Sequence, residues 1–390
     1  MKLLKTLAAI AAIALASLAG APAQAADPVK IGLILPMSGP FASTGKQIDA
    51  AVKLYIKTHG DTVAGRKIQV ILKDDTGTAP DVTKRLAQEL IVNDKVDILA
   101  GFGLTPLAFA AAPLSEEAKK PMIVMAAATS AITTKSPYIL RTSFTLPQVS
   151  AGIADWAAKN KIKKVYILVT DYGPGIDAEN QFKKTFAAGG GEVIGSARIP
   201  LKNPDYGPFM QRAKDAAPDA VFAFVPSGEG TGFMKEFAER GLAKAGIKLI
   251  ATGDVLDDDI LDAMGDTALG VISSHHYSAA HKSKENLQYV ADFQKANPGM
   301  RPNFMSLGGW DGMDLIYQVL KKTGGDTNGD KFLAAAKGMS WLSPRGQISI
   351  DAETRDITQT VYIRKVEKID GHLYNVEFDQ IKDVKDPGKQ

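Results

Sequence analysis

From Val29 onward, short apolar runs alternate with longer stretches whose apolar residues recur every three or four positions. The first three, Val29 to Leu35, Phe41 to His59 and Lys67 to Lys73, predict strand, helix and strand. The pattern continues through a helix from Asp81 to Asn93, a strand from Asp97 to Gly101, a helix from Pro106 to Lys119 and a strand from Met122 to Met125. Repeats of this kind build a parallel sheet with helices on its faces, because each parallel return needs a crossover.

A second series opens at Val165 to Thr170. Strands are expected at Glu192 to Ile199, Ala220 to Val225, Lys248 to Thr252 and Val271 to Ser274, with helices near Ala178 to Ala188, Tyr206 to Ala216 and Thr231 to Arg240. Three helical stretches follow, Glu285 to Ala296, Met305 to Lys322 and Lys331 to Lys337; with no strands between them, they are expected to complete an existing lobe. Gly346 to Ile350, Thr358 to Glu367 and Gly371 to Glu377 alternate apolar and polar residues around an Asp370-Gly371 turn, the pattern of antiparallel pairing. The predicted fold is α/β, with two doubly wound parallel-sheet lobes and a cleft at the carboxyl ends of their strands.

The residues before Val29 read differently. Met1, Lys2 and Lys5 precede an apolar stretch from Leu7 to Leu18 and a small-x-small site, Ala23-Gln24-Ala25, so residues 1–25 are expected to be a cleaved secretory signal. The apolar stretch is shorter than the ~20 residues a spanning helix needs. The 390 residues include no cysteine, so neither a disulfide nor a cysteine-linked lipid anchor is expected. A chain this long can bury a core without covalent staples. Its 46 basic and 43 acidic side chains nearly balance, and the leader carries two of the lysines, which argues against nucleic acid or an anionic membrane surface as partner.

Catalytic signatures fail one by one. Gly45-Lys46 lacks the spacing and the hydroxyl of a phosphate loop, and Gly228 to Gly232 misses the dinucleotide spacing. There is no Gly-x-Ser-x-Gly elbow, and the five histidines (His59, His275, His276, His281 and His372) give few nucleophile and base pairings. His275 and His276 are adjacent in an extended segment, which directs them to opposite faces and favours packed or solvated rings over metal ligands. Asp257, Asp258 and Asp259 precede Ile260 and are expected to cap a helix there. No cofactor, metal or enzymatic activity is expected.

Two strand-to-helix turns remain. In Gly101-Phe102-Gly103-Leu104-Thr105-Pro106, Thr105 reads as an N-cap with proline at N1. The amides there could equally hold a carboxylate. Ala126-Ala127-Ala128-Thr129-Ser130 has only small side chains, so a ligand could approach its backbone.

These residues carry a family resemblance. Ile31 to Pro40 with Gly45, Asp74-Asp75, Gly101 to Pro113, Pro121 to Thr129, Tyr172-Gly173 and Gly308-Gly309-Trp310-Asp311 together resemble the branched-chain amino acid type solute-binding proteins of ABC transporters, in order along almost the whole chain. The resemblance implies a flytrap whose lobes are 26–143 plus 277–346 and 144–276 plus 347–390. The crossings would lie near Arg141 to Leu146, Ser273 to Tyr277 and Pro344 to Ile350. It also implies a periplasmic location and a permease partner; a sensing module or a secreted enzyme on the same scaffold would be the alternative roles.

The family holds a ligand carboxylate with a hydroxyl residue at the position of Thr105 and with the backbone of Ala127 to Thr129, and a tyrosine matching Tyr172 closes from the second lobe. The ligand-facing set implied here is Thr44, Phe102, Thr105, Ala127, Ala128, Thr129, Tyr172, Ser227 and Asp254. Gly253 stands where amino-acid binders place an acid against the ammonium group, with Asp254 beside it, and a family tyrosine is replaced near Pro226-Ser227. Ser343 to Asp351, Glu353 to Asp356 and Tyr362 to Glu367 are similar to members linked to aromatic acids, and Phe41 and Phe102 would suit an aromatic ring. The expected ligand is a small carboxylate, either an amino acid or an aromatic acid.

Overall fold

The computed structural model describes residues 26–389, so the expected leader lies outside it. The first series folds as β1 (Ala26–Leu35), α1 (Ala42–His59), β2 (Thr62–Val63), β3 (Arg66–Asp74), α2 (Pro80–Val92), β4 (Ile98–Gly101), α3 (Thr105–Glu117), β5 (Met122–Val124) and β6 (Ile139–Arg141). Their order across the sheet is β2-β3-β1-β4-β5-β6, parallel except for the short β2 edge. β4 and β5 are buried along their whole length, as strands covered on both faces must be.

The second sheet begins after α4 (Leu146–Lys159) with β7 (Lys164–Thr170). It continues through α5 (Gly173–Ala188), β8 (Glu192–Ile199), α6 (Gly207–Asp215), β9 (Ala220–Phe224), α7 (Gly230–Glu239), β10 (Lys248–Thr252), α8 (Leu261–Met264) and β11 (Ile272–His275). The chain then forms α9 (Lys284–Ala296), α10 (Phe304–Thr323) and α11 (Gly329–Ala336) before β12 (Ser340–Ser343), β13 (Gly346–Ile350), β14 (Ile357–Ile369) and β15 (His372–Val384). The sheet order is β12-β13-β14-β11-β10-β9-β7-β8, with β15 paired to β14. Its β7 to β11 strands are parallel and its late strands antiparallel. The β14–β15 hairpin turns through Asp370 and Gly371, both at positive φ (50° and 86°), the backbone a two-residue turn demands and the reason glycine serves there.

As expected, the strandless helices complete the first lobe: α10 packs along α1, where Tyr55 meets Trp310 and Tyr317 edge-on at 4.9 and 5.0 Å. Four elements were not expected: the short strands β2 and β12, β6, which extends the first sheet, and α4, which follows the crossing that the resemblance put near Arg141 to Leu146. A capping box fixes the start of α4: Thr145 Oγ1 accepts from the Gln148 amide while the Gln148 side chain accepts from the Thr145 amide.

The Asp257 to Asp259 run does not cap a helix. α8 is a single turn whose N-cap is Ile260. Asp257 accepts from Asn303 Nδ2 at 3.0 Å and from Ser227 Oγ, Asp258 from the Ala279 amide and Asn375 Nδ2, and Asp259 from Ser43 Oγ at 2.5 Å. Asp257 and Asp259 thus tie the second lobe to α1 and to the start of α10. His275 and His276 do pack, but on the same side. Their ring centroids are 4.5 Å apart, both flank Phe144, and both residues are fully buried, because the chain bends just past the end of β11.

Two buried ion pairs hold the segments between the sheets. Arg345 meets Asp311 at 2.7 Å and donates to the Thr142 and Ser143 carbonyls, so the third inter-sheet segment grips the first. Arg141 meets Asp356 at 2.8 Å and also donates to the carbonyls of Ala127, Thr129 and Phe144.

Candidate functional site

Five strands end at one cleft. The turns after β4, β5, β7, β9 and β10 bring Gly103 to Thr105, Ala126 to Ala128, Tyr172, Pro226-Ser227 and Asp254 around a narrow cavity. The non-atom space among these residues is about 360 Å³ with open solvent included, of which only about 20 Å³ can hold the centre of a water-sized sphere, so the two lobes stand nearly closed on each other. Phe41, Thr44, Phe144, Phe224 and Met305 complete much of the wall. The two lobes touch around it. A Cβ on Gly173 would sit 2.5 Å from Thr129 Oγ1, and one on Gly228 would sit 3.7 Å from the Pro40 carbonyl.

The first-lobe end is a donor surface. Thr105 is the first residue of α3, with Leu104 at the N-cap position and Pro106 after it, and no side chain caps the helix. The capping role expected for Thr105 is therefore not the one it has. Its hydroxyl lies 2.9 Å from Thr129 Oγ1 instead. Two hydroxyls sharing one hydrogen bond leave one hydrogen free to donate. Among the described residues the amides of Leu104, Thr105 and Ala128 find no protein acceptor, and they sit beside the positive end of the α3 dipole.

The second-lobe end accepts. Ser227 Oγ donates to Asp257 Oδ2, which uses its hydrogen. Asp254 is 3% exposed, and its Oδ2 has no hydrogen-bond partner among the described residues. Burial pushes the Asp254 carboxyl up to about 7 against the opposing pulls of the Thr252 hydroxyl, its own backbone amide and the Arg364 charge. Burial, and then the charge of Asp254, hold the Tyr172 phenol well above its ordinary value, so it stays protonated.

Gly253 has no room for a side chain. A Cβ there would overlap Arg364 Nη2 and the His275 ring. Arg364 is 1% exposed and is held in place by Ser273 Oγ and the Tyr277 carbonyl. Behind the cavity, burial and then the Arg364 charge hold His275 well below the ordinary imidazole range, and burial and then His275 do the same to His276, so both rings are neutral.

Residues 28–371 match the periplasmic binding protein family. The chain belongs to that family. The binding protein is 47% identical over 384 residues to Leu/Ile/Val-binding protein homolog 6 of Brucella abortus, covering 97% of this chain and 98% of that one. It is similar to a solute-binding protein of an ABC transporter from Rhodopseudomonas palustris BisB5, solved in complex with 3,4-dihydroxybenzoic acid. That likeness has 64% identity and a TM-score of 0.91 over 93% of this chain and 99% of that one. A second such protein, from Rhodopseudomonas palustris HaA2 in complex with p-hydroxybenzoic acid, gives 46% identity and a TM-score of 0.90 over 93% and 100%. Both the expected resemblance and the two-lobed α/β fold hold.

Of the residues the sequence singled out in the binding protein, Thr44, Thr105, Ala127, Ala128, Tyr172, Ser227 and Asp254 line the cavity. Thr129 stands just behind, on the Thr105 hydroxyl. Phe102 is not part of the wall. Its φ of 67° carries the side chain into the first-lobe core with Ile34, Leu86 and Val124, where it is fully buried. The sequence reading missed Phe144, Phe224 and Met305. Phe224 and Phe144 were legible as apolar residues at a strand end and beside a crossing, but nothing in the pattern separates wall from core.

Proposed function

We propose that this binding protein is the receptor of an ABC uptake system for small aromatic carboxylates of the hydroxybenzoate class, capturing them in the inter-lobe cleft and presenting them to a membrane permease in the periplasm. The observation that carries the reading is the polarity of the cavity. One end offers unpaired amides and a free hydroxyl hydrogen beside a helix N-terminus, a site for a carboxylate. The wall between is aromatic, with Phe41, Phe144, Tyr172 and Phe224, the last two stacked with centroids 6.0 Å apart. The space at Gly253, where an amino-acid binder places its acid, is taken by Arg364 and His275. The aromatic acids named with the two Rhodopseudomonas structures support the same choice.

In this reading Thr105, the Ala127 and Ala128 turn and Thr129 hold the carboxylate, Thr44 and Phe41 border it, and Tyr172 and Ser227 close from the other side. We propose lobe boundaries of 26–143 plus 277–346 and 144–276 plus 347–390, with residues 1–25 as the export signal. Ligand binding shifts an open and closed equilibrium by its differential affinity, and the permease takes the closed form. No step of this requires bond making or breaking.

A branched-chain amino acid is the second reading, favoured by the name of the Brucella relative, with Asp254 as the ammonium partner. A thermal-shift panel separates the two, since a ligand that binds only the folded protein raises its melting temperature. Stabilisation by benzoate derivatives and not by leucine, isoleucine or valine supports the proposal. The opposite pattern overturns it.

A further inference from the structure

The cavity is asymmetric in a way that a carboxylate and a ring alone do not explain. Its second-lobe end carries a carboxyl group that is almost completely buried, lines the empty space and leaves one oxygen without a partner. A buried acceptor left unpaired is costly, so something that enters the cavity should satisfy it. Three of the neighbouring donors are already committed. Ser227 donates to Asp257, Asn303 donates to the same Asp257 oxygen, and Arg364 is spent on Ser273 and Tyr277. Near Asp254 only the Thr252 hydroxyl, itself unpaired among the described residues, and the Tyr172 phenol remain, so a donor brought by a ligand competes with these two for the carboxyl.

The position of that donor on the ligand follows from the layout. The carboxylate-holding groups are on the first lobe and Asp254 is on the second, with the rings of Phe41, Phe144, Tyr172 and Phe224 around the space. An α-ammonium group is one carbon from its carboxylate, whereas a ring hydroxyl lies across six carbons of flat apolar surface. We infer that Asp254 is the specificity residue that reads a phenolic hydroxyl, meta or para to the carboxylate, and so favours hydroxylated benzoates over benzoate itself. This rests on the proposed aromatic-acid reading and adds the feature of the ligand that is selected. Because the carboxyl titrates near neutrality, its acceptor strength rises as it ionises, so the preference for the hydroxylated acid increases with pH.

Isothermal titration of the mature protein and of Asp254→Ala with benzoate, 4-hydroxybenzoate and 3,4-dihydroxybenzoate tests this. The wild type should bind the hydroxylated acids about ten- to a hundredfold more tightly than benzoate, the range for a hydrogen bond to a charged group. In Asp254→Ala that preference, read as the ratio of the affinities for the hydroxylated acids to the affinity for benzoate, should vanish. Asp254→Asn keeps the volume and serves if the alanine variant does not fold. Its preference should be reduced and should no longer change between about pH 6 and about pH 8, where the wild-type preference grows. Equal weakening of all three acids in either variant would make Asp254 a structural residue, and an unchanged preference would place the hydroxyl reader elsewhere. Failure of the wild type to bind any of the three would instead remove the aromatic-acid reading, and this assignment with it.

Discussion

Replacing Thr105 by valine removes one hydroxyl and keeps the shape of the side chain. Thr105 is 2% exposed, and its hydroxyl touches only Thr129 Oγ1, at 2.9 Å, among the described residues. It caps nothing, so α3 should keep its start. In the unliganded protein the loss is one neutral hydrogen bond between side chains, about 1 kcal/mol. In the complex the same change deletes a donor to a charged carboxylate in a water-poor cleft, worth about 1.5 to 3 kcal/mol. Since 1.4 kcal/mol is a factor of ten, the dissociation constant for 4-hydroxybenzoate should rise about ten- to a hundredfold. Titration calorimetry measures the affinity, and a urea melt of the unliganded protein measures the stability. An affinity loss that exceeds the stability loss supports the carboxylate site. A variant that loses stability and binds as tightly as wild type would refute it and leave Thr105 as packing.

Three further outcomes follow from the geometry. Asp311→Ala strands the Arg345 guanidinium, which meets Asp311 at 2.7 Å with both side chains fully buried; urea unfolding should show a loss of about 3 to 5 kcal/mol. Asp254→Asn should stabilise the unliganded protein in a pH-dependent way. The folded carboxyl titrates near 7 against an ordinary 3.8, so native Asp254 opposes folding increasingly as pH rises from about 4 to about 7, by at most about 4 kcal/mol. Urea melts at about pH 8 should therefore favour the variant, and melts at about pH 4 should show no difference. Gly253→Asp, which puts an acid at the position where the family resemblance expects one in amino-acid binders, should not create leucine binding in a thermal-shift assay, and overpacking against Arg364 and His275 should cost about 1 to 3 kcal/mol of stability.

The fold was legible because parallel strands buried on both faces must be nearly continuous apolar runs, and Ala220–Phe224 and Ile98–Gly101 are. Helix α4 was legible and was missed: its buried residues recur at helical spacing, and Thr145 with Gln148 three residues on is a readable capping box. The cavity turns were visible for a topological reason: strand ends in a doubly wound sheet are where ligands bind. Phe102 misled because a positive φ at one residue swings a side chain from cleft to core, and nothing in residue type announces it. The acids at 257 to 259 misled because their partners, Ser43, Asn303 and Asn375, are far away in sequence. The fit of Arg364 and His275 into the space at Gly253 was equally beyond any local pattern.

A crystal structure of the mature protein with 3,4-dihydroxybenzoate tests the central claim most directly. The account predicts closed lobes, the carboxylate on Thr105 and the amides of Leu104, Thr105 and Ala128, the ring among Phe41, Phe144, Tyr172 and Phe224, and a ring hydroxyl on Asp254. A carboxylate turned toward Asp254, or a cleft that excludes the acid and instead holds leucine with its ammonium group on Asp254, would contradict it.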